Sequence, residues 1–184
     1  MRELPGGYSL DRRVDLRSDK KALLLSEGGQ IVLLLLLGLL GLIFLPSVVI
    51  TRKALLIQAA VLCLGLVCGL LLHEGLHGLL MRLGGSSRIR LGFIGLRPYM
   101  QCSACFDRRS YRRILLLPAL LGEILLLAAV ILVPADWKWT LYILLIGNTA
   151  AGWEDISLLL MTRSGGAEAL YQHRGTVAEV YRKA

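Results

Sequence analysis

The stretch Ala54–Met81 reads ALLIQAAVLCLGLVCGLLLHEGLHGLLM, an apolar run broken only by Gln58 and by the cluster His73-Glu74-Gly75-Leu76-His77. A helix needs roughly 20 apolar residues to cross a ~30 Å hydrocarbon core, and this run exceeds that. Three more runs of the same kind lie around it, at Ile31–Ile50, Ile114–Val133 and Trp139–Met161. Hydrophobic residues make up 55% of the chain and charged residues 18%, and the apolar ones come in blocks instead of at amphipathic spacing. That distribution excludes an ordinary water-soluble core. The polar remainder is too short for a second folded unit, so residues 1–184 are expected to form one membrane-embedded domain. The expected fold class is an all-α membrane protein with about four transmembrane helices.

Basic residues give the orientation. Six Lys and Arg lie in the first thirty residues, two between the first and second runs (Arg52, Lys53) and eight between the second and third (from Arg82 to Arg113). One lies between the third and fourth (Lys138), and four follow the last (Arg163, Arg174, Arg182, Lys183). Basic loops stay in the cytoplasm, so both termini and the middle loop are expected inside. The net charge of +8 comes from these flanks and does not mark a nucleic-acid partner. About thirty mostly polar residues precede the first run, a pattern unlike a cleavable signal peptide.

Short stretches outside the runs carry strand signals. Tyr8, Leu10, Val14 and Leu16 fall on even positions, Ile89, Leu91 and Phe93 alternate before Gly95 and Pro98, and Thr176–Tyr181 follows a Gly165-Gly166 turn. They suggest a small strand or hairpin element on the cytoplasmic side. Cys63 and Cys68 read as small apolar packing residues in the second run. Cys102 and Cys105 form a CxxC with no second CxxC or nearby histidine to complete a metal site, and read as structural.

The chemistry sits in His73-Glu74-x-x-His77. Residues four apart share a helix face one turn apart, so both imidazoles can address one metal ion. Glu74 stands one step round the helix, where it can take a proton from metal-activated water. Two histidines and a carboxylate in an apolar helix are costly unless they are paired or face a polar cavity. The chain has three histidines, and the motif uses two.

A zinc site of this type needs a third protein ligand and an open fourth position. A third histidine six residues after the second is absent, since position 83 is Leu83. Candidates are Glu123, Glu154, Asp155 and His173. The second and fourth runs both lead inward, and at ~1.5 Å per residue Asp155 reaches about the same depth as His73. Glu123 lies roughly 10 Å nearer the midplane, where it could line a cavity. Glu154 has the right depth but points about 100° away from Asp155. His173 lies in the tail, where a solvated histidine is expected. Asn148, two helical turns before Asp155, shares its face and is a candidate for orienting substrate or steadying Asp155.

With the HExxH in the second run and Asn148…Asp155 in the fourth, the chain resembles membrane-embedded zinc peptidases. The broad likeness is to the site-2 protease group. The closer one is to a family of small bacterial membrane proteins known as zincin peptidases. It takes in Gly7-Tyr8-Ser9-Leu10 and Val14-Asp15-Leu16, the HExxH, Pro98…Cys102…Cys105, Ser110-Tyr111-Arg112-Arg113 and Gly147-Asn148…Asp155-Ile156. The resemblance implies one zinc ion bound by His73, His77 and Asp155, with Glu74 as general base. It also implies a membrane or membrane-proximal protein substrate and residence in a bacterial cytoplasmic membrane. Site-2 proteases usually carry a proline after their asparagine and a glycine after their aspartate, where this chain has Ala151 and Ile156 nearby.

The expected function is zinc-dependent hydrolysis of peptide bonds in or beside the bilayer, at the cytoplasmic side. Two other classes stay open: a non-catalytic metal-binding membrane protein, favoured if protein atoms fill all four metal positions, and a small transporter using Glu123, Glu154 and Asp155 as a polar path. Membrane lipids are the expected surroundings.

Overall fold

Local chemistry sets where each long helix begins. In the computed structural model, which describes residues 4–48, 51–166 and 168–183, helix α1 runs Lys20–Phe44, and the Asp19 side chain accepts from the Lys21 and Ala22 N–H groups at its start. Helix α2 (Arg52–Leu83) is capped by the Thr51 hydroxyl. Helix α3 (Arg108–Leu132) is capped by Asp107, and helix α4 (Ala135–Thr162) starts directly after Pro134. All four are long and apolar enough to cross a membrane. Their outer surfaces expose Leu35, Leu42, Leu56, Leu64, Ile124 and Leu132. An apolar exterior of this extent calls for an apolar solvent. The chain is a membrane protein.

Helix α1 starts well before the expected Ile31, and the expected end at Ile50 lies outside the described residues. The early start arises from a π-helical turn at Leu24–Gly28, whose polar Ser26-Glu27 reads as loop in the sequence. The Trp153 indole N–H of α4 donates to the Leu25 carbonyl at 3.0 Å. Gly29 makes room for that ring, because a Cβ there would stand 2.6 Å from it. Helices α3 and α4 approach just as closely at Gly152, where a Cβ would meet that of Ala119 at 2.6 Å. Cys63 and Cys68 do not pack inside, as expected of them, but face outward from α2.

The all-α expectation is wrong. Five strands form one antiparallel sheet in the order β1-β5-β4-β3-β2: β1 Tyr8–Asp15, β2 Ile89–Ile94, β3 Arg97–Asp107, β4 Leu170–Arg174 and β5 Val177–Lys183. The strand hints at β1, the β2–β3 hairpin and β5 were fragments of this sheet, and β4 gave no hint. The reason is physical. The strands are charged, and β1 pairs with β5 across nearly the whole chain, with Val14 opposite Ala178. A pairing so remote leaves no local periodicity to read. What defines the sheet is its inner face, with alternate residues Val14 and Leu16, Ala104 and Phe106, Ala169 and Tyr171, Ala178 and Val180 in one buried cluster. That face packs on Met81, Tyr111, Ile114, Leu115 and Leu158. The sheet therefore caps one end of the helices, at the last turns of α2 and α4 and the first of α3.

Candidate metal centre

Helix α2 carries His73 and His77 on one face, and α4 brings Asp155 against them. The His73 Nε2 atom lies 3.1 Å from Asp155 Oδ2 and 3.1 Å from His77 Nε2, and His77 Nε2 lies 3.2 Å from the same carboxylate oxygen. All three side chains are buried, at 5%, 2% and 7% exposure. An equilateral triangle of that size leaves a point ~2.0–2.2 Å from every corner, the length of zinc–nitrogen and zinc–oxygen bonds. Protons serve the triangle poorly, since two ring nitrogens face each other and one oxygen at once. A cation satisfies all three lone pairs together. The donor set of two imidazoles and a carboxylate suits zinc. Among the described residues these three form the one group of ligand atoms that converge closely enough for an ion.

Glu74 lines the same cleft, which has a volume of about 190 Å³. The Met100 N–H of β3 donates to Glu74 Oε2 at 2.8 Å. The methyl end of Met100 rests over Gly78, where a Cβ would lie 3.2 Å from it. The hairpin is thus laid on α2 beside the motif. At its turn, Arg97 Nη1 donates to Glu154 Oε1 at 2.6 Å and stands 3.6 Å from Glu27 Oε1 of the π turn. Glu154 therefore lines the cleft and is held by the hairpin, without joining the three ligand atoms.

The other candidates lie elsewhere. Asn148 donates to Glu123 Oε1 at 3.1 Å and to the Ala119 carbonyl at 3.2 Å, and the Thr149 hydroxyl donates to the same Glu123 oxygen at 2.6 Å. They form a polar clamp between α3 and α4, and neither Asn148 nor Glu123 lines the cleft. Cys102 and Cys105 are both buried in β3, where burial pushes their thiols up.

His173 was misjudged. It is 3% exposed and lies on the inner face of β4, with its ring stacked on His77 at 6.0 Å between centroids and 16° between planes. Its Nδ1 is buried without a hydrogen-bond partner, and burial pushes its pKa down to about 4. All three histidines of the chain thus meet at one place. The signal was parity: Ala169, Tyr171 and His173 alternate, so once 170–174 is a strand, His173 shares the inner face with two core residues.

A family model described as "Putative zincin peptidase" matches residues 66–170, more than half of the chain. The chain belongs to that family. No curated protein and no solved structure matches it. The zincin match spans the HExxH of α2, the hairpin, α3 and Asp155, so all the elements that build the triangle except the covering β4–β5 pair fall within it. Zinc is the metal that membership in a zincin family implies, and the residues present fit it.

Proposed function

We propose that the chain is a membrane-embedded zinc metallopeptidase that hydrolyses peptide bonds at the cytoplasmic edge of the bilayer. The observation that carries this is the convergence of His73, His77 and Asp155 with Glu74 beside them in one cleft. Zinc held by His73, His77 and Asp155 would supply a Lewis acid and would make water acidic enough to lose a proton near neutral pH. Glu74 takes that proton on its carboxylate and delivers it to the leaving amine. The Met100 N–H fixes one Glu74 oxygen, so the carboxylate is oriented before substrate arrives.

Strand β3 offers the substrate a place. Its pairing with β4 ends at Gln101 opposite Arg174, and residues Arg97–Met100 run on past it toward the cleft. An extended peptide laid along that stretch would lie beside Glu74 and donate to strand carbonyls, since Pro98 has no N–H and the Met100 N–H is held by Glu74. A helical membrane segment has to unwind to bind in this way. The rival reading of a purely structural metal site calls for four protein ligands, and among the described residues the convergent group holds three, without His173. The basic flanks support a cytoplasmic position for the sheet and the site.

The test compares wild type with Glu74→Gln in reconstituted vesicles containing a bacterial membrane-protein extract. Zinc content is read by elemental analysis and new peptide termini by mass spectrometry. Wild type should bind zinc and generate termini, and Glu74→Gln should bind as much zinc and generate none. Equal cleavage by the variant would falsify the mechanism.

A further inference from the structure

Helix α3 opens with an arginine cluster that the metal site does not use. Arg108, Arg109, Arg112 and Arg113 are all exposed and surround one groove of about 530 Å³. The spacing is i, i+1, i+4 and i+5, so all four fall on one side of the helix. This is an unfavourable arrangement for the helix alone. Like charges four apart repel, and the acid at this helix start is the cap, Asp107, whose carboxylate accepts from the Arg109 and Ser110 N–H groups. The ion pairs that Arg97, Arg174 and Arg182 form involve acids other than the cap of this helix. Arg108 donates to the Arg163 carbonyl at 3.2 Å, which anchors one wall of the groove to the end of α4.

The floor of the groove continues the same stripe. Leu116, Leu117 and Leu120 line it and lead down α3 into the apolar part of the span. A ligand that fits carries negative charge at one end and hydrocarbon at the other. We propose that this groove binds the phosphate headgroup of an anionic glycerophospholipid, with an acyl chain along the leucine stripe. Guanidinium matches phosphate with paired hydrogen bonds, and basic pockets at the cytoplasmic ends of spans suit such lipids. Orientation by basic flanks requires positive charge at this end of the protein, but not four arginines gathered over a leucine floor.

The experiment uses the full chain in detergent micelles, offered phosphatidylglycerol or phosphatidylcholine, with bound lipid counted by native mass spectrometry. Wild type should retain phosphatidylglycerol about tenfold or more over phosphatidylcholine. Arg109→Gln/Arg112→Gln/Arg113→Gln should lose the preference. Arg13→Gln/Arg88→Gln/Arg90→Gln removes the same charge from the same end and should keep it. Should the glutamine variant of the groove not elute as a single species, Arg109→Lys/Arg112→Lys/Arg113→Lys decides, because it keeps the charge and should still lose about threefold or more through the lost bidentate contacts. Undiminished preference in the groove variants overturns the proposal. Equal loss in the control overturns it in favour of general surface charge. Displacement of the lipid by millimolar inorganic phosphate overturns it in favour of a soluble anion.

Discussion

His173 illustrates how much one inward-facing side chain adds to a site it does not ligate. Its ring runs nearly parallel to that of His77 from α2, 6.0 Å away between centroids, and 6.3 Å from Tyr111 of α3, and the Asp155 carboxylate of α4 acts on it. It packs beside His77, and groups around a metal-ligating histidine can govern affinity by 10–100-fold. The prediction separates shape from polarity. His173→Ala should weaken zinc binding about tenfold, whereas His173→Phe, which keeps a flat ring on His77, should stay within about twofold of wild type by chelator competition. The same residue has a pH signature. Its pKa falls from an ordinary 6.5 to about 4 in the folded chain, so between those values the unfolded chain binds a proton that the folded one refuses. Stability should therefore be full above pH 6.5 and decline as pH drops toward 4, by at most ~3 kcal/mol. His173→Phe should flatten that decline when metal-free protein is melted across the range, and an unchanged slope would assign it to other groups.

At the scale of elements, the β2–β3 hairpin is the part that connects everything around the cleft. Its Arg97 reaches Glu154 on α4 and Glu27 on α1, and its Met100 N–H reaches Glu74 on α2. Arg97 is 49% exposed, so its ion pairs are worth only about 0–1 kcal/mol. Arg97→Gln should accordingly speed hydrogen exchange of residues 99–101 by up to about fivefold while leaving zinc content unchanged. Slower or identical exchange would show that Met100 alone holds the hairpin. The helices and the hairpin differ in how far they could be read in advance. A transmembrane run announces itself because each residue contributes independently to one apolar solvent match, so Ala54–Met81 was plain and its HExxH could be placed on a face. Asp155 was legible for a related reason, since depth along a helix follows from counting residues. The sheet was not, because β4 is only LYQHR and acquires its strand character from Ala178 and Val180 across the β4–β5 turn and from the helices below. With β4 unseen, His173 had no face, and so it looked solvated.

For the molecule as a whole, the organising fact is that the sheet gathers strands from both ends of the chain and from its middle onto one end of the helices. The links between α1 and α2 and between α3 and α4 contribute no strand among the described residues, and they lie at the opposite end. The same division runs through the charges, with Arg52, Lys53 and Lys138 on one side and the other described Lys and Arg on the other. Sheet, basic residues and candidate metal ligands thus share an end, and the proposed function takes that end as the cytoplasmic one. Two exposed serines report the two ends: Ser9 in β1 and Ser47 in the link after α1. In intact bacteria a membrane-impermeant maleimide should label Ser47→Cys and spare Ser9→Cys, which should become reactive once the inner membrane is opened. The native cysteines should contribute little, because Cys102 and Cys105 are buried with their thiols pushed up and Cys63 and Cys68 face outward from the apolar α2. The opposite pattern would invert the orientation, move the cleft to the outer face and require substrates presented from outside. Labelling of both positions from outside would break the one-sided sheet itself, since Ser9 pairs in register with Arg182 of β5, and β5 is held through β4 to the strand whose backbone bonds Glu74.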